Sequence, residues 1–362
     1  MTACHTRIGV VGRQSPSCSD QEKAGFARLN VFAARFFRDR LPGSWVPRYL
    51  EDRGFSPAVQ AHWQAGYAPA TWGALTRRLR GLGCSDTLIE QSGLGRRSRH
   101  GDLIDTFRDR AMHPVHSANG TLAGFIGRAP EDAAPGVPKY LNSPASCLYN
   151  KGMLLFGLWE AREALAAEAR PVIVEGPLDA IAVTTAGQGR FAGVAPCGTT
   201  LTMPHVSALA RAADLRRAGV LVAFDADPAG QRAAVRAYDL LSPFTSNVDT
   251  VDFQPGEDPA QVLAREGPAI LADTLGRHTR PLADIVIDSE VDRWDRWLPY
   301  AEGQINALRA AARFIAAMPP SHAARQVARL ASRLNLDYAL VTEAITGFSK
   351  LTGVGWPSGY LT

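Results

Sequence analysis

Between Pro171 and Glu266, short apolar runs end in carboxylates three times and pass into segments that carry helix-start signals. The runs are Pro171-Val-Ile-Val-Glu175, Gly219-Val-Leu-Val-Ala-Phe-Asp225-Ala-Asp227 and Val248-Asp-Thr-Val-Asp-Phe253, the last followed by Glu257 and Asp258. The first two are apolar at successive positions, as suits strands buried on both faces of a parallel sheet. Pro177, Pro228 and Pro259 stand where a first helical turn begins, and Asp227 and Asp258 suit the N-cap position. The pattern predicts strand, acid and helix in repetition. In an open α/β sheet the binding crevice lies at the carboxyl ends of the strands, so Glu175, Asp225 and Asp227 are expected to face one crevice.

Elsewhere the periodicity turns helical. Phe26, Leu29, Phe32, Phe36 and Phe37 predict a helix over 26–41. Further helices are expected over 72–82, 86–91, 155–169, 201–215, 281–298, 301–318, 321–334 and 336–348. Ala118-Asn119-Gly120 separates two strand-like runs and predicts a β-hairpin. Residues 1–25 read as a flexible arm and 351–362 as a loose tail. Between them lie a mixed α/β part (26–168), the parallel-sheet part (169–275) and a helical part (276–350).

Composition narrows the class. The 362 residues are 46% hydrophobic and 20% charged, which suits a globular protein, and no apolar run reaches the length of a membrane span. A secretory signal is not recognisable, so the expected location is the cytoplasm, with no membrane partner. The five cysteines show no CxxC spacing, so neither a zinc site nor a disulfide framework is predicted. Residues 1–168 carry 21 Lys and Arg against 15 Asp and Glu, while 169–362 carry 18 against 20. A basic half beside an acidic half suits a polyanionic substrate, although the basic residues are nearly all arginine and a composition bias explains part of the difference.

Clustered carboxylates repel one another unless cations compensate them. Oxygen ligands without neighbouring His or Cys favour Mg²⁺ or Mn²⁺, the usual equipment of phosphoryl transfer. The plainer alternative is that the acids only cap helices. It weighs most for Asp258 and least for Glu175 taken together with Asp225 and Asp227. Arg108 and Arg110, two apart on an expected strand, are expected on one face, where phosphate or an ion pair with Asp105 or Asp109 would relieve their repulsion.

These motifs carry a resemblance. Val174-Glu-Gly-x-x-Asp179 followed by Phe224-Asp-x-Asp-x-Ala-Gly230, with the leading acids 50 residues apart, resembles the Toprim domain of primases, topoisomerases and some nucleases. Three further segments are similar to the catalytic core of bacterial DnaG-type primases. They are Arg48-Tyr-Leu-Glu-Asp-Arg53-Gly with Gly66-Tyr-Ala-Pro69, Phe107-Arg-Asp-Arg110 with Gly127-Arg128, and Lys139-Tyr-Leu-Asn142-Ser143-Pro144 with Lys151-Gly152 and Leu155-Phe-Gly157. The resemblance covers about 26–348. It implies an α/β fold: a Toprim subdomain with a Rossmann-like parallel sheet, a mixed α/β N-terminal subdomain and a C-terminal helical subdomain. It implies RNA primer synthesis on a single-stranded DNA template from ribonucleoside triphosphates. Glu175, Asp225 and Asp227 would be catalytic and hold Mg²⁺ or Mn²⁺ with Asp179 and Asp258. Arg48, Arg108, Arg110, Arg128, Lys139, Asn142, Ser143 and Lys151 would bind nucleotide or DNA.

The chain also departs from the family pattern. No segment matches its N-terminal zinc ribbon or its C-terminal helicase-binding module, so a separate zinc-ribbon protein and a replicative helicase are the further partners to consider. His113, Ile126, Ala145 and Ala260 replace an aromatic or aliphatic residue, a glycine, a glutamate and an aspartate. With Ala260 in place of a carboxylate, the second metal position is expected to be the poorer one. Two other readings stay open at this point: a Toprim nuclease or topoisomerase-like enzyme, and a catalytically weak DNA-binding replication accessory protein of a mobile element.

Overall fold

The computed structural model describes residues 18–198, 200–224, 228–254 and 256–352. Asp225 and Asp227, two of the expected catalytic acids, lie outside the described residues, as does Thr199. The chain runs through α1 (Asp20–Asp39), α2 (Val46–Glu51), α3 (Pro57–His62), β1 (Gly66–Ala68), α4 (Ala74–Gly81), α5 (Asp86–Gln91), β2 (Gly95–Arg97), β3 (Leu103–Asp105), β4 (Arg110–His116), β5 (Leu122–Arg128), β6 (Tyr140–Asn142), β7 (Leu155–Phe156), α6 (Arg162–Ala166), β8 (Arg170–Val174), α7 (Pro177–Gly187) and β9 (Phe191–Pro196). It continues with α8 (Met203–Ala212), α9 (Leu215–Ala218), β10 (Val220–Ala223), α10 (Pro228–Leu241), β11 (Val248–Val251), α11 (Pro259–Glu266), α12 (Pro268–Arg277), β12 (Thr279–Pro281), α13 (Leu282–Asp292), α14 (Ala301–Ala316), α15 (Pro320–Leu334) and α16 (Tyr338–Thr352). The described residues form two compact units: those up to 47 with 60–154, and 48–59 with those from 155 on.

In the first unit an antiparallel sheet runs β1-β4-β5-β6. The predicted hairpin joins β4 to β5, with Asn119 Oδ1 accepting from the Thr121 amide at 3.2 Å. Helix α1 packs Leu29, Ala33 and Phe37 onto this sheet, where Phe37 meets Phe125 edge to face at 5.3 Å. Asn30 fixes the helix by donating to the carbonyls of Leu122 and Ala123, each at 3.0 Å. The helix begins at Asp20, six residues before the expected start. Ser19 and Glu22 form a capping box there, so the end of the expected arm is ordered.

In the second unit a sheet runs β12-β11-β10-β8-β9-β7, with β11, β10, β8 and β9 parallel and the two edge strands antiparallel. From β8 the chain moves to β9 on one side and then to β10 on the other, so the topological switch point lies between β8 and β10. Helix α7 lies close against β9: a Cβ at Gly193 would stand 2.3 Å from the Ala180 carbonyl oxygen. The sheet and helices α13 to α16 share one core that includes Ile173, Val222, Leu282, Ile315, Leu330 and Ile345. Residues 155–168, expected with the first part, belong to this second unit.

Local expectations fail where a few residues override periodicity. The helix expected over 155–169 is confined to α6, because Leu155 and Phe156 pair with β9 as an edge strand and Gly157 turns the chain at φ +86°. The helix expected from Trp72 starts two residues later. Arg96 and Arg97 lie on β2. Burial, followed by the neighbouring Cys18 thiol, pushes the Cys147 thiol up to about 11. Among the described residues, no helix is long and apolar enough to cross a membrane.

Candidate metal and nucleic-acid site

Strands β8 and β10 bring the first acid motif to its position. Their parallel register pairs Val174 with Ala223, so Glu175 and Phe224 leave adjacent strand ends at the same edge. Glu175 is exposed there. Gly176 is extended and Pro177 opens α7, so the acid is the last residue before the turn. Asp179, in the first turn of α7, accepts the Ala260 amide at 3.2 Å. Asp258 is the N-cap of α11 and accepts the Gln261 amide at 2.7 Å, so this residue does cap a helix. Ala260, where the family pattern has an aspartate, is buried and presents its backbone to Asp179. Among the described residues, no three His, Cys, Asp or Glu side chains converge to hold a metal ion.

The basic residues fall into two kinds. Arg110 is 4% exposed, and its guanidinium donates to the Gly127 carbonyl at 2.9 Å and to the Pro138 carbonyl at 3.0 Å. Arg128 is also buried, donates to the Ala129 carbonyl, and lies 5.6 Å from the Tyr140 ring centroid. Ser143 is buried too: its Oγ accepts the Phe125 amide at 2.9 Å, and Asn142 Oδ1 accepts from the Tyr149 hydroxyl at 2.8 Å. These side chains shape the first unit's sheet from within. Lys139, Lys151 and Arg48 are exposed, the last with Asp52 at 4.0 Å.

Strand alternation does not put Arg108 and Arg110 on one face. Asp109 between them has φ +48°, β4 begins only at Arg110, and the alternation is broken. The ion pairs weighed for them are not formed either. Asp105 accepts the amides of Leu75 and Thr76, each at 2.8 Å, and so caps α4 from a distance. Asp109 accepts from Trp45 Nε1 and the Tyr67 hydroxyl, each at 2.9 Å. Arg108 instead donates to the Asp105 carbonyl and stacks on Trp72, 4.3 Å from the ring centroid. Burial lowers the Arg110 pKa most, and the charges of Arg108 and Arg128 lower it further. Arg108, Arg110 and Arg128 thus lie close enough to affect one another, with Glu131 4.0 Å from Arg128. Trp72, which the sequence reading placed inside a helix, is the exposed aromatic beside Arg108.

A family model described as DNA primase catalytic core, N-terminal domain, matches residues 36–162, and a Toprim-like model matches 172–263. The RNA polymerase domain of Mycobacterium tuberculosis primase DnaG, solved with double-stranded DNA, superposes with a TM-score of 0.72 at 30% identity, covering 87% of this chain and 99% of that one. The chain belongs to the DnaG-type primase family. The DnaG primase catalytic domain solved with single-stranded DNA gives a TM-score of 0.75 at 26% identity, covering 89% of this chain and 100% of that one. The DNA primase of Streptomyces coelicolor is 34% identical over 346 residues, 94% of this chain but 53% of that protein. That of Deinococcus radiodurans is 36% identical over 249 residues, 68% of this chain and 42% of that protein. The chain thus spans about half the length of the curated relatives it matches. The Toprim-containing primase core expected from the motifs is the fold observed.

Proposed function

We propose that this chain synthesises short RNA primers on single-stranded DNA by metal-dependent phosphoryl transfer. The observation that carries the reading is the switch point between β8 and β10, where the Glu175 segment and the segment leading to Asp225 and Asp227 start from adjacent strand ends. The similarity to primase domains solved with single- and double-stranded DNA supports the substrate class.

Glu175, Asp225 and Asp227 would hold Mg²⁺, or Mn²⁺ in its place, and Asp179 and Asp258 would serve a second ion. The donors are all carboxylate oxygens, which fits a hard divalent cation. Asp179 and Asp258 each have an oxygen engaged by a backbone amide, so their contribution is the weaker one. When bound, such an ion neutralises charge developing on the transferred phosphoryl group and acidifies the attacking hydroxyl. The primer's 3′-hydroxyl attacks the α-phosphate of the incoming ribonucleotide, and pyrophosphate leaves. No side-chain nucleophile is required. Arg48, Arg108, Lys139 and Lys151 would meet phosphates. Arg110, Arg128, Asn142 and Ser143 would position them through the hydrogen bonds described above. A replicative helicase and a separate zinc-ribbon protein are the partners this reading brings in, and the cytoplasm is its place of work.

The test is primer synthesis from labelled ribonucleotides on single-stranded templates, with Mg²⁺ or Mn²⁺. The expected result is a ladder of short RNAs that Glu175→Gln and Asp225→Asn each abolish. A ladder unchanged in both variants, or none from the wild type while it binds the template, overturns the reading.

A further inference from the structure

Helix α1 turns a hydrophobic pair outward. Val31 and Phe32 are 52% and 45% exposed, and among the described residues no other two large apolar side chains so exposed are neighbours in sequence. A single exposed apolar residue needs no explanation, whereas a pair on one helix face makes a patch. Exposed arginines frame it: Arg28 one turn before, Arg35 one turn after and Arg38 beyond. Among the described residues none of the three has a carboxylate partner, and Arg28 Nε turns back to the Ala24 carbonyl at 3.4 Å. Of the acids on the helix, Glu22 closes the cap on Ser19 and Asp20 takes Lys23 at 3.4 Å, which leaves Asp39 at the far end. Arg35 and Arg38 are three apart, a like-charge spacing that costs helix stability. The face is fixed from behind: Leu29, Ala33 and Phe37 are packed into the core, and Asn30 holds two carbonyls of β5.

Apolar side chains left in water between unpaired cations suit a partner that covers the first and neutralises the second. Nucleic acid meets half of this. Its backbone would pair with the arginines, but the aliphatic Val31 offers no face for stacking and a convex helix offers no groove. A second copy of this chain would bring the same arginines and be repelled. An acidic helix meets both demands. Side chains three and four apart on α1 form the ridge on which another helix packs its apolar stripe, and carboxylates beside that stripe reach the arginines one turn away. We propose that the outer face of α1 docks an acidic amphipathic helix of a partner protein, with Val31 and Phe32 under its apolar stripe and Arg28, Arg35 and Arg38 pairing with its carboxylates. This surface uses none of the residues assigned to metal, nucleotide or DNA, so it goes beyond the primase reading.

The probe is a labelled synthetic helix with Leu along one stripe and Glu on both sides of it. Its controls are the same composition scrambled and the same stripe with Lys in place of Glu. Binding to the full chain is read by fluorescence anisotropy, without nucleotide, template or metal. Wild type is expected to bind the acidic helix about tenfold or more tighter than either control. Phe32→Ser should weaken that binding about tenfold, and the double variant Arg28→Glu, Arg35→Glu should come to prefer the Lys helix. Both variants should melt at the wild-type temperature, and if Phe32→Ser does not, the reversal of preference in the double variant decides. Equal binding of the ordered and scrambled helices, or a preference that fails to reverse, overturns the proposal. So does a loss of oligo(dT) affinity in Phe32→Ser that matches its loss for the acidic helix, which marks a nucleic-acid surface, or wild-type self-association that Phe32→Ser abolishes, which marks a face between copies. With no template or metal present, the outcome is independent of whether the chain makes primers.

Discussion

Asp179 and Ala260, 81 residues apart in sequence, are joined by a hydrogen bond of 3.2 Å from the Ala260 amide to Asp179 Oδ1. With Asp258 capping the next amide, two carboxylates share the N-terminus of α11, where unsatisfied N–H groups and the helix dipole favour negative charge. Helix α11 is thereby fastened to α7 beside the candidate metal site. Asp179→Asn keeps an acceptor oxygen and removes the charge, so its stability should stay within about 0.5 kcal/mol of wild type. Asp179→Ala should lose about 1 kcal/mol. If Asp179 also serves a metal, Asp179→Asn raises the Mg²⁺ needed for half-maximal primer synthesis about tenfold or more. Urea unfolding and a Mg²⁺ titration separate the two roles, and an unchanged Mg²⁺ requirement reduces Asp179 to a cap.

Arg110 and Lys139 should respond in opposite ways. Arg110 spans two carbonyls from within the sheet unit, and one of them belongs to Pro138, next to Lys139. A lysine cannot reproduce that fork, so Arg110→Lys should cost about 2 kcal/mol of stability. Lys139 is exposed. Lys139→Ala should leave stability within about 0.5 kcal/mol and lower the slope of log K against log salt for single-stranded DNA by about 1. Urea midpoints and salt-dependent binding curves check both; a salt slope unmoved by Lys139→Ala removes it from the strand's path.

The parallel strands were legible because strands buried on both faces carry unbroken apolar runs, as Pro171–Val174 and Val220–Ala223 do. The caps of α11 and the 118–120 turn were legible for the same local reason. What escaped were relations closed across long stretches of chain. Asp105 and Asp109 look like partners for Arg108 and Arg110, yet one caps α4 and the other holds Trp45 and Tyr67. Neither choice leaves a trace in local periodicity. Ser143 reads as a substrate contact, but its hydroxyl serves the Phe125 amide. Trp72 stands just ahead of α4 and is exposed, which its place in the periodic pattern does not show. The site's acids are recognisable by motif, whereas the division of its basic residues into buried struts and exposed contacts needed the tertiary structure.

Helices α13 and α15 are joined by a ladder whose innermost rung is Asp284. Arg325 donates to its two oxygens at 2.7 and 2.6 Å, and Gln326 donates at 2.6 Å. Arg329 and Arg333 continue onto Asp288 at 2.9 and 2.7 Å. Burial disfavours the Asp284 charge, but the bonds from Arg325 and Gln326 and the charges of Arg329 and Arg325 outweigh it and hold the carboxyl below its ordinary value of 3.8. A depressed folded-state value means stability that is present above the unfolded value and lost as pH falls through the folded one. Asp284→Asn should therefore lose about 2 kcal/mol at neutral pH and show a shallower decline below pH 4 than wild type. Urea unfolding from pH 7 to 3 tests this. The outer rungs are more exposed and should contribute little.

His113 makes a second and separable pH dependence. It sits on β4, 1% exposed, where the family pattern has an aromatic or aliphatic residue. Burial, and then the nearby Arg128 charge, push its pKa from 6.5 down to about 4. The unfolded chain binds a proton on this ring at pH values where the folded chain does not. Stability from the neutral ring is thus complete above about pH 6.5 and falls as the pH drops toward 4, by an amount on the order of 3 kcal/mol. His113→Phe removes the titrating group and keeps a ring of similar size. The variant's stability should stay level between pH 6.5 and 4.5 while the wild type declines, so the two curves separate most on the acid side. Chemical unfolding in that window decides the matter. Parallel curves would mean that the ring takes up its proton without cost in the folded state, and that the Arg128 charge is screened from it.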